Sequence, residues 1–205
     1  MGVGSRSASP PFDWDEPATW GPALEGVSAV YLACQPDLSA PHAAETAGTF
    51  TRQAADLGDW RLALLSARRE PSALRVEEAV SSAGVPSTTM LRAAWFHQNF
   101  SESLLLGAVL EGILALPVGD VAEPFIHASD IAAVAARALT EEGHGGQAYE
   151  LTGPRSLTFH EVAKTLSAFA GRQIAYAPIG ADEFRQGLAA QGLEAADVEL
   201  LTNIV

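Results

Sequence analysis

The chain has 205 residues, 48% of them hydrophobic and 18% charged, a balance that can bury a core and argues against wholesale disorder. Its 25 acidic residues against 12 basic ones give a net charge of −13, which excludes nucleic acid and anionic membrane as partners, because both demand a basic face. A single cysteine, Cys34, excludes an internal disulfide and any Cys-based zinc cluster. No apolar run reaches the ~18–20 residues of a membrane-spanning helix, and no basic-then-apolar stretch follows Met1, so a soluble cytoplasmic protein without a signal peptide is expected.

Residues 1–22 read as irregular, with Gly, Ser and Pro up to Pro11 and then Phe12-Asp13-Trp14. Residues 26–33 form a glycine-led apolar run, expected to be a buried strand closed by Gln35-Pro36-Asp37. Ala40, Ala43, Ala44, Ala47, Phe50, Ala54 and Leu57 recur at helical spacing, with Gly58 as the stop. A second buried strand is expected over 61–66, a helix over 70–83 ending at Gly84, and a third strand over 87–92. Strand, helix, strand, helix and strand with short links is the pattern of parallel βαβ units in a doubly wound sheet.

The second half predicts a helix over 98–114, a short strand over 124–127 and a helix capped by Asp130. A strand over 148–151 closes at Gly153-Pro154. Thr158 and Glu161 have the spacing of a capping box, opening a helix that ends at Gly171. Residues 174–179 read as extended, 182–191 as helical, and 195–205 as a further apolar helix.

In a doubly wound sheet, ligands bind beyond the carboxyl ends of the strands. That directs attention to 34–36, 66–69 and 93–99. Trp95 and Phe96 can wall a flat apolar ligand that Asn99 orients, or they can staple the next helix to the sheet. Ser66 can face a substrate carbonyl or a cofactor ribose, although such a serine more often caps a turn. Glu77 and Glu78 read as a solvated helix face. His127 with Asp130 reads as a strand end and a helix cap rather than a base and its orienter. The five histidines, His42, His97, His127, His144 and His160, lack metal-ligand spacing, so no metal site is expected. No G-x-S-x-G elbow is present. The run Gly2-Val3-Gly4-Ser5-Arg6-Ser7 imitates a dinucleotide fingerprint but follows no strand and lacks the third glycine. A Tyr-x-x-x-Lys pair is also missing: four residues beyond Tyr31, Tyr149 and Tyr176 stand Gln35, Gly153 and Gly180.

Several phrases together resemble the NmrA-like atypical short-chain dehydrogenase/reductase family, above all its ergot alkaloid dehydrogenase-like subgroup. They are Ser5-Arg6-Ser7 leading to Phe12-Asp13-Trp14, then Ala29-Val30-Tyr31-Leu32, Leu64-Leu65-Ser66-Ala67 and, most specific, residues 91–101 (LRAAWFHQNFS). Pro124-Phe125-Ile126 with Asp130-Ile131-Ala132, then Tyr149-Glu150-Leu151-Thr152-Gly153-Pro154 and Leu157-Thr158-Phe159, complete the set. The similarity runs from about residue 5 to residue 202.

The resemblance implies an α/β fold: a truncated, Rossmann-like doubly wound parallel sheet over 1–147 with a small C-terminal α+β lobe over 148–205. It implies an NAD(P)-dependent oxidoreductase that passes hydride from NADPH to a small apolar iminium, enone or quinone-like substrate. An iminium needs no acid, so a missing Tyr–Lys pair is compatible with that chemistry. NADP is the expected cofactor, with NAD as the alternative, held by Ser5, Arg6, Pro36, Ser66 and Ala67; Arg6 is expected to meet a ribose 2′-phosphate. Trp95, Phe96 and Asn99 are the expected substrate contacts. The resemblance also implies a strand, glycine-rich turn and helix, ~30 residues in all, ahead of Ser5, and further helices after Val205. The chain is therefore expected to be an interior piece that binds NADP weakly or not at all. Its first strand should pair with 61–66 or stay poorly ordered, and its open sheet edge invites a second copy. A non-catalytic dinucleotide-sensing regulator and an inert remnant remain as alternatives.

Overall fold

The structure, a computed structural model, describes residues 2–35, 37–58, 60–102 and 105–204. In chain order its elements are α1 (Trp20–Leu24), β1 (Ala29–Leu32), α2 (Ala43–Asp56), β2 (Arg61–Ala67), α3 (Pro71–Ser81), β3 (Ser87–Ala93), α4 (Leu106–Glu111) and β4 (Ile113–Leu116). They continue with β5 (Ala122–Glu123), α5 (Ala128–Thr140), β6 (Ala148–Leu151), β7 (Leu157–Thr158), α6 (Phe159–Ala170), β8 (Ala175–Pro178), α7 (Ala181–Ala190) and α8 (Ala195–Ile204). Short 3-10 turns occupy Pro17–Thr19 and His97–Phe100. The elements divide into two units, 1–93 with 131–151, and 94–130 with 152–205. The split is thus discontinuous in sequence, where a single boundary near residue 147 was expected.

The first unit is built on a four-stranded sheet in the order β1-β2-β3-β6, parallel throughout. This is the parallel winding expected from the alternation of strands and helices. β1 takes the first of its two expected courses and pairs with β2, from Ala29 against Arg61 to Leu32 against Leu64. Leu62, Leu64 and Met90 pack on Phe50 of α2 and on Val76 and Val80 of α3. On α2 the buried Ala43, Ala47, Phe50 and Ala54 recur at helical spacing and make one continuous stripe. On α3, Pro71 opens the helix and the Glu70 side chain accepts the Ser72 N–H, closing an otherwise orphaned donor. Arg61, one residue out of step with Leu62, donates to Leu139 O of α5. The N-terminal segment is not a bare coil: Phe12, Trp14 and Trp20 meet Phe50 edge-on, with ring centroids 5.4–5.8 Å from it.

The second unit contains two small pairings, β4 parallel to β8 and β5 antiparallel to β7. Its core gathers Phe100, Leu114, Leu116, Phe125, Phe159 and Tyr176. Three expectations are corrected here. The single helix expected over 98–114 is a 3-10 turn, the six-residue α4 and then strand β4. Gly112 ends α4 with φ +87°, a left-handed conformation that a side chain would resist, and Arg172 donates to the exposed carbonyls of Val109 and Leu110. The strand expected over 124–127 is displaced to Ala122–Glu123, while Ile126 makes one isolated bridge to Phe96. Pro124 has no N–H to donate to a ladder. The Asp130 helix begins two residues earlier, at Ala128, whose N–H is accepted by Gln98 Oε1 at 3.0 Å. The capping box at Thr158 and Glu161 forms as expected.

Candidate functional site

In the first unit a cavity of about 170 Å³ opens beyond the carboxyl end of β1. Trp14, Asp15, Cys34, Gln35, His42 and Thr46 are among its walls. It therefore lies where a parallel sheet places ligands, between a strand end and the start of the following helix. Burial, with Asp37 nearby, pushes the Cys34 thiol up to about 11, so near neutrality it is a thiol and not a thiolate nucleophile.

Arg6 stands beside this cavity through Asp15. Its guanidinium pairs with Asp13 and, at 3.2 Å, with Asp15 Oδ2. The hydrogen bond from Arg6, with a second from the Asp15 N–H, holds the Asp13 carboxyl below the usual range. Ser5 folds its segment by accepting the N–H groups of Ala8 and Phe12, and its hydroxyl lies 3.3 Å from that of Ser7. Pro36, expected to touch cofactor, lies outside the described residues.

Ser66 is 2% exposed, and its hydroxyl donates to Glu77 Oε1 at 2.6 Å. The hydroxyl expected to face a cofactor is turned into the layer beneath α3, while Ala67 beside it is half-buried. Glu77 itself is 6% exposed, not a solvated face. Arg92 closes on it with Nε at 2.9 and 3.2 Å and Nη2 at 2.7 Å. Burial alone would raise the Glu77 carboxyl; the hydrogen bonds from Arg92 and Ser66 outweigh that and hold it below the usual range. Glu150 lies 3.6 Å from Arg92 Nη1 and 3.1 Å from Arg68 Nε, extending the chain of alternating charges. The sequence carried a signal for this. Ala73, Val76, Glu77 and Val80 share one helical stripe, and Glu78 does not.

In the second unit, Trp95 is half-buried, edge-on to Phe125 and Phe159 with centroids 6.5 and 5.8 Å away. Its backbone N–H donates to Glu123 Oε1 at 3.2 Å. Phe96 and Asn99 are half-buried. The Asn99 N–H donates to Phe96 O, and its carbonyl accepts the Leu105 N–H at 2.8 Å. A polar cluster that sequence reasoning missed adjoins them in the chain. Gln98 bonds the start of α5 and its Nε2 lies 2.8 Å from His127 Nε2, while His127 Nδ1 lies 2.7 Å from Ser129 Oγ. Both imidazole nitrogens thus have a polar neighbour within the cluster, and Asp130, read from the sequence as the helix cap, lies inside α5. Among the described residues no group of three or more His, Cys, Asp and Glu side chains could hold a metal, and no helix is long and apolar enough to cross a membrane.

No protein-family model matches the chain. Agroclavine dehydrogenase of Claviceps fusiformis is 30% identical over 229 residues, spanning 97% of this chain and 74% of that protein. NAD(P)H azoreductase of Xenophilus azovorans is 37% identical over 118 residues, spanning 57% of this chain and 40% of that protein. The chain thus spans between two fifths and three quarters of the length of these two relatives. The structure of the NADPH-dependent quinone oxidoreductase QOR2 of Escherichia coli, complexed with NADPH, superposes with a TM-score of 0.79 at 24% identity, over 94% of this chain and 70% of that one. That likeness concerns the fold, which is Rossmann-like and α/β. With the dehydrogenase matched along nearly the whole of the present sequence, the chain belongs to the NmrA-like atypical short-chain dehydrogenase/reductase family.

Proposed function

We propose that the chain is the body of an NAD(P)-dependent oxidoreductase that delivers hydride to a small apolar iminium, enone or quinone-like substrate. The single observation that carries this reading is the cavity beyond the carboxyl end of β1, with Arg6 at its side, in a parallel sheet of this family's kind.

The residues fit one end of a dinucleotide. The cavity is below the ~300–1,000 Å³ of a whole small-molecule site, and among the described residues no glycine-rich turn links a strand to a helix. A nucleoside fits between Trp14 and the Cys34-Gln35 turn, with a phosphate reaching Arg6. To meet it, Arg6 must exchange Asp13 and Asp15 for the phosphate, which favours weak binding. When bound, the dinucleotide supplies the hydride. The chain's own residues bind and orient. Ala67 offers backbone at the end of β2. Trp95, Phe96 and Asn99 contact substrate, the Trp95 ring being held edge-on by Phe125 and Phe159. The Ser66 hydroxyl is committed to Glu77, and an iminium substrate asks for no proton from it. NADP as the dinucleotide and a cytoplasmic setting belong to the same reading, as does a second copy pairing along the open edge of β1.

A thermal-shift titration with NADPH tests the cofactor end. The geometry predicts a Tm rise that sets in only near millimolar ligand and vanishes in Arg6→Ala. Strong stabilisation at micromolar NADPH contradicts the weak-binding part. No response at any concentration, together with no quinone-dependent NADPH oxidation, contradicts the reductase reading.

A further inference from the structure

Ser66, Arg92 and Glu150 stand side by side in the sheet, since Ser66 registers with Arg92 and Arg92 with Glu150. Neighbours in register share a face, so the three side chains form one polar row across β2, β3 and β6. It lies one residue from the carboxyl ends of all three strands. The next row inward on that face is Leu64, Met90 and Ala148, of which Leu64 and Met90 belong to the apolar core with Val76 and Val80. Glu77 descends from α3 onto this last row, taking the Ser66 hydroxyl and the Arg92 fork at once. Among the described residues no buried side-chain polar atom lacks a partner.

Stability alone does not ask for this arrangement. A well-packed apolar set of similar volume is often as stable as a buried ion pair. What the charges add is direction. Charge-assisted bonds fix relative position along and across strands, whereas apolar contacts slide. Resting on the reductase reading above, we propose that Glu77 is a positioning residue: it clamps the carboxyl ends of β2 and β3, and through Arg92 and Glu150 that of β6, so that the backbone at Ser66-Ala67 is held for the nicotinamide end of the dinucleotide. Glu77 touches neither substrate nor cofactor. It acts through Ser66 and Arg92.

The test compares wild type with Glu77→Gln, which keeps the shape, and Ser66→Ala, which removes one link. In the ligand-free protein, amide hydrogen exchange at 66–68 and 92–93 is expected to quicken about tenfold in both variants, while 62–64 of the same strand stay as in wild type. With NADPH and a soluble benzoquinone, kcat is expected to fall about tenfold and the KM for NADPH to change less than twofold, the signature of lost alignment rather than lost binding. Exchange unchanged at 66–68, or quickened equally at 62–64, overturns the clamp and leaves a packing role only. An unchanged kcat in an active enzyme overturns it as well. If wild type does not oxidise NADPH, the reductase reading falls, and the exchange measurement alone decides the clamp.

Discussion

The two units solve the same problem, how to order short strands, in opposite ways. In the first unit four parallel strands lie in one sheet, packed on α2 and α3, and local composition specifies each strand. In the second unit the strands come as two separate pairs, one of them only two residues long, around a nucleus of aromatic rings. The contrast teaches that the first unit is ordered by strands in continuous register that end in a polar row, and the second by its aromatic nucleus. Each can be broken at its own weak point.

The largest loss is expected from Glu77→Ala, which strips the buried Ser66 hydroxyl of its acceptor and the partly exposed Arg92 of its main partner. Removing one member of such a pair costs about 3 kcal/mol, or roughly 6–12 °C in Tm. The double variant Glu77→Met with Arg92→Met should recover most of it, and calorimetry of the three proteins checks both points. The same carboxyl makes the first unit sensitive to acid. Its folded pKa lies below the ordinary value of 4.5. Its contribution is therefore full above that value and fades as pH falls through the depressed folded one. Glu77→Gln should flatten the acid limb of the stability curve, and an unchanged limb would assign the acid sensitivity to other carboxylates.

Next in size is Gly153→Ala, in the second unit. A Cβ there would meet the Phe125 carbonyl oxygen at 2.0 Å, and the Gly153 N–H already bonds Pro124 O at 2.9 Å. Overpacking against fixed backbone costs about 2–3 kcal/mol, read as a lower urea midpoint with an unchanged slope. If the cost is negligible, the close approach is not what holds the second unit. A smaller effect, about 1 kcal/mol, is expected for Thr158→Ala, which removes the hydroxyl that accepts the Glu161 N–H at the start of α6. Arg6→Ala closes the series: its side chain is exposed, so Tm without ligand should not move, while the response to NADPH disappears.

How far the sequence revealed all this follows the same division. Residues 61–67 centre on the apolar run Leu62-Ala63-Leu64-Leu65 and 87–93 open on β-branched threonines, each between turn signals, and stripes such as Ala43, Ala47, Phe50 and Ala54 define their helices without outside help. Ile113-Leu114-Ala115-Leu116 was legible only as apolar, because a four-residue run fits the end of a helix as well as a strand, and its partner β8 lies some sixty residues away. Residue type and resemblance singled out the segments 5–6, 34–36 and 95–99; of these Cys34 and Gln35 line the first unit's cavity and Arg6 pairs with its Asp15. Glu77 was missed because a glutamate pair on a helix is usually solvated, and it is buried only because Arg92, on a separate strand, comes to meet it. Trp95 shows the converse: a large ring after a strand can serve a ligand or a core, and here it lies edge-on to Phe125 and Phe159 while staying half-buried.

The central claim is that the first unit grips a nicotinamide dinucleotide beyond the carboxyl ends of its strands. Amide hydrogen exchange of the full chain with and without saturating NADPH tests it most directly. The account predicts protection at residues 5–8, 34–35 and 43–46 around the cavity, and at 67–69 beyond β2. Saturating NADPH that protects none of these segments, or only residues on the amino-terminal side of the sheet, would contradict it.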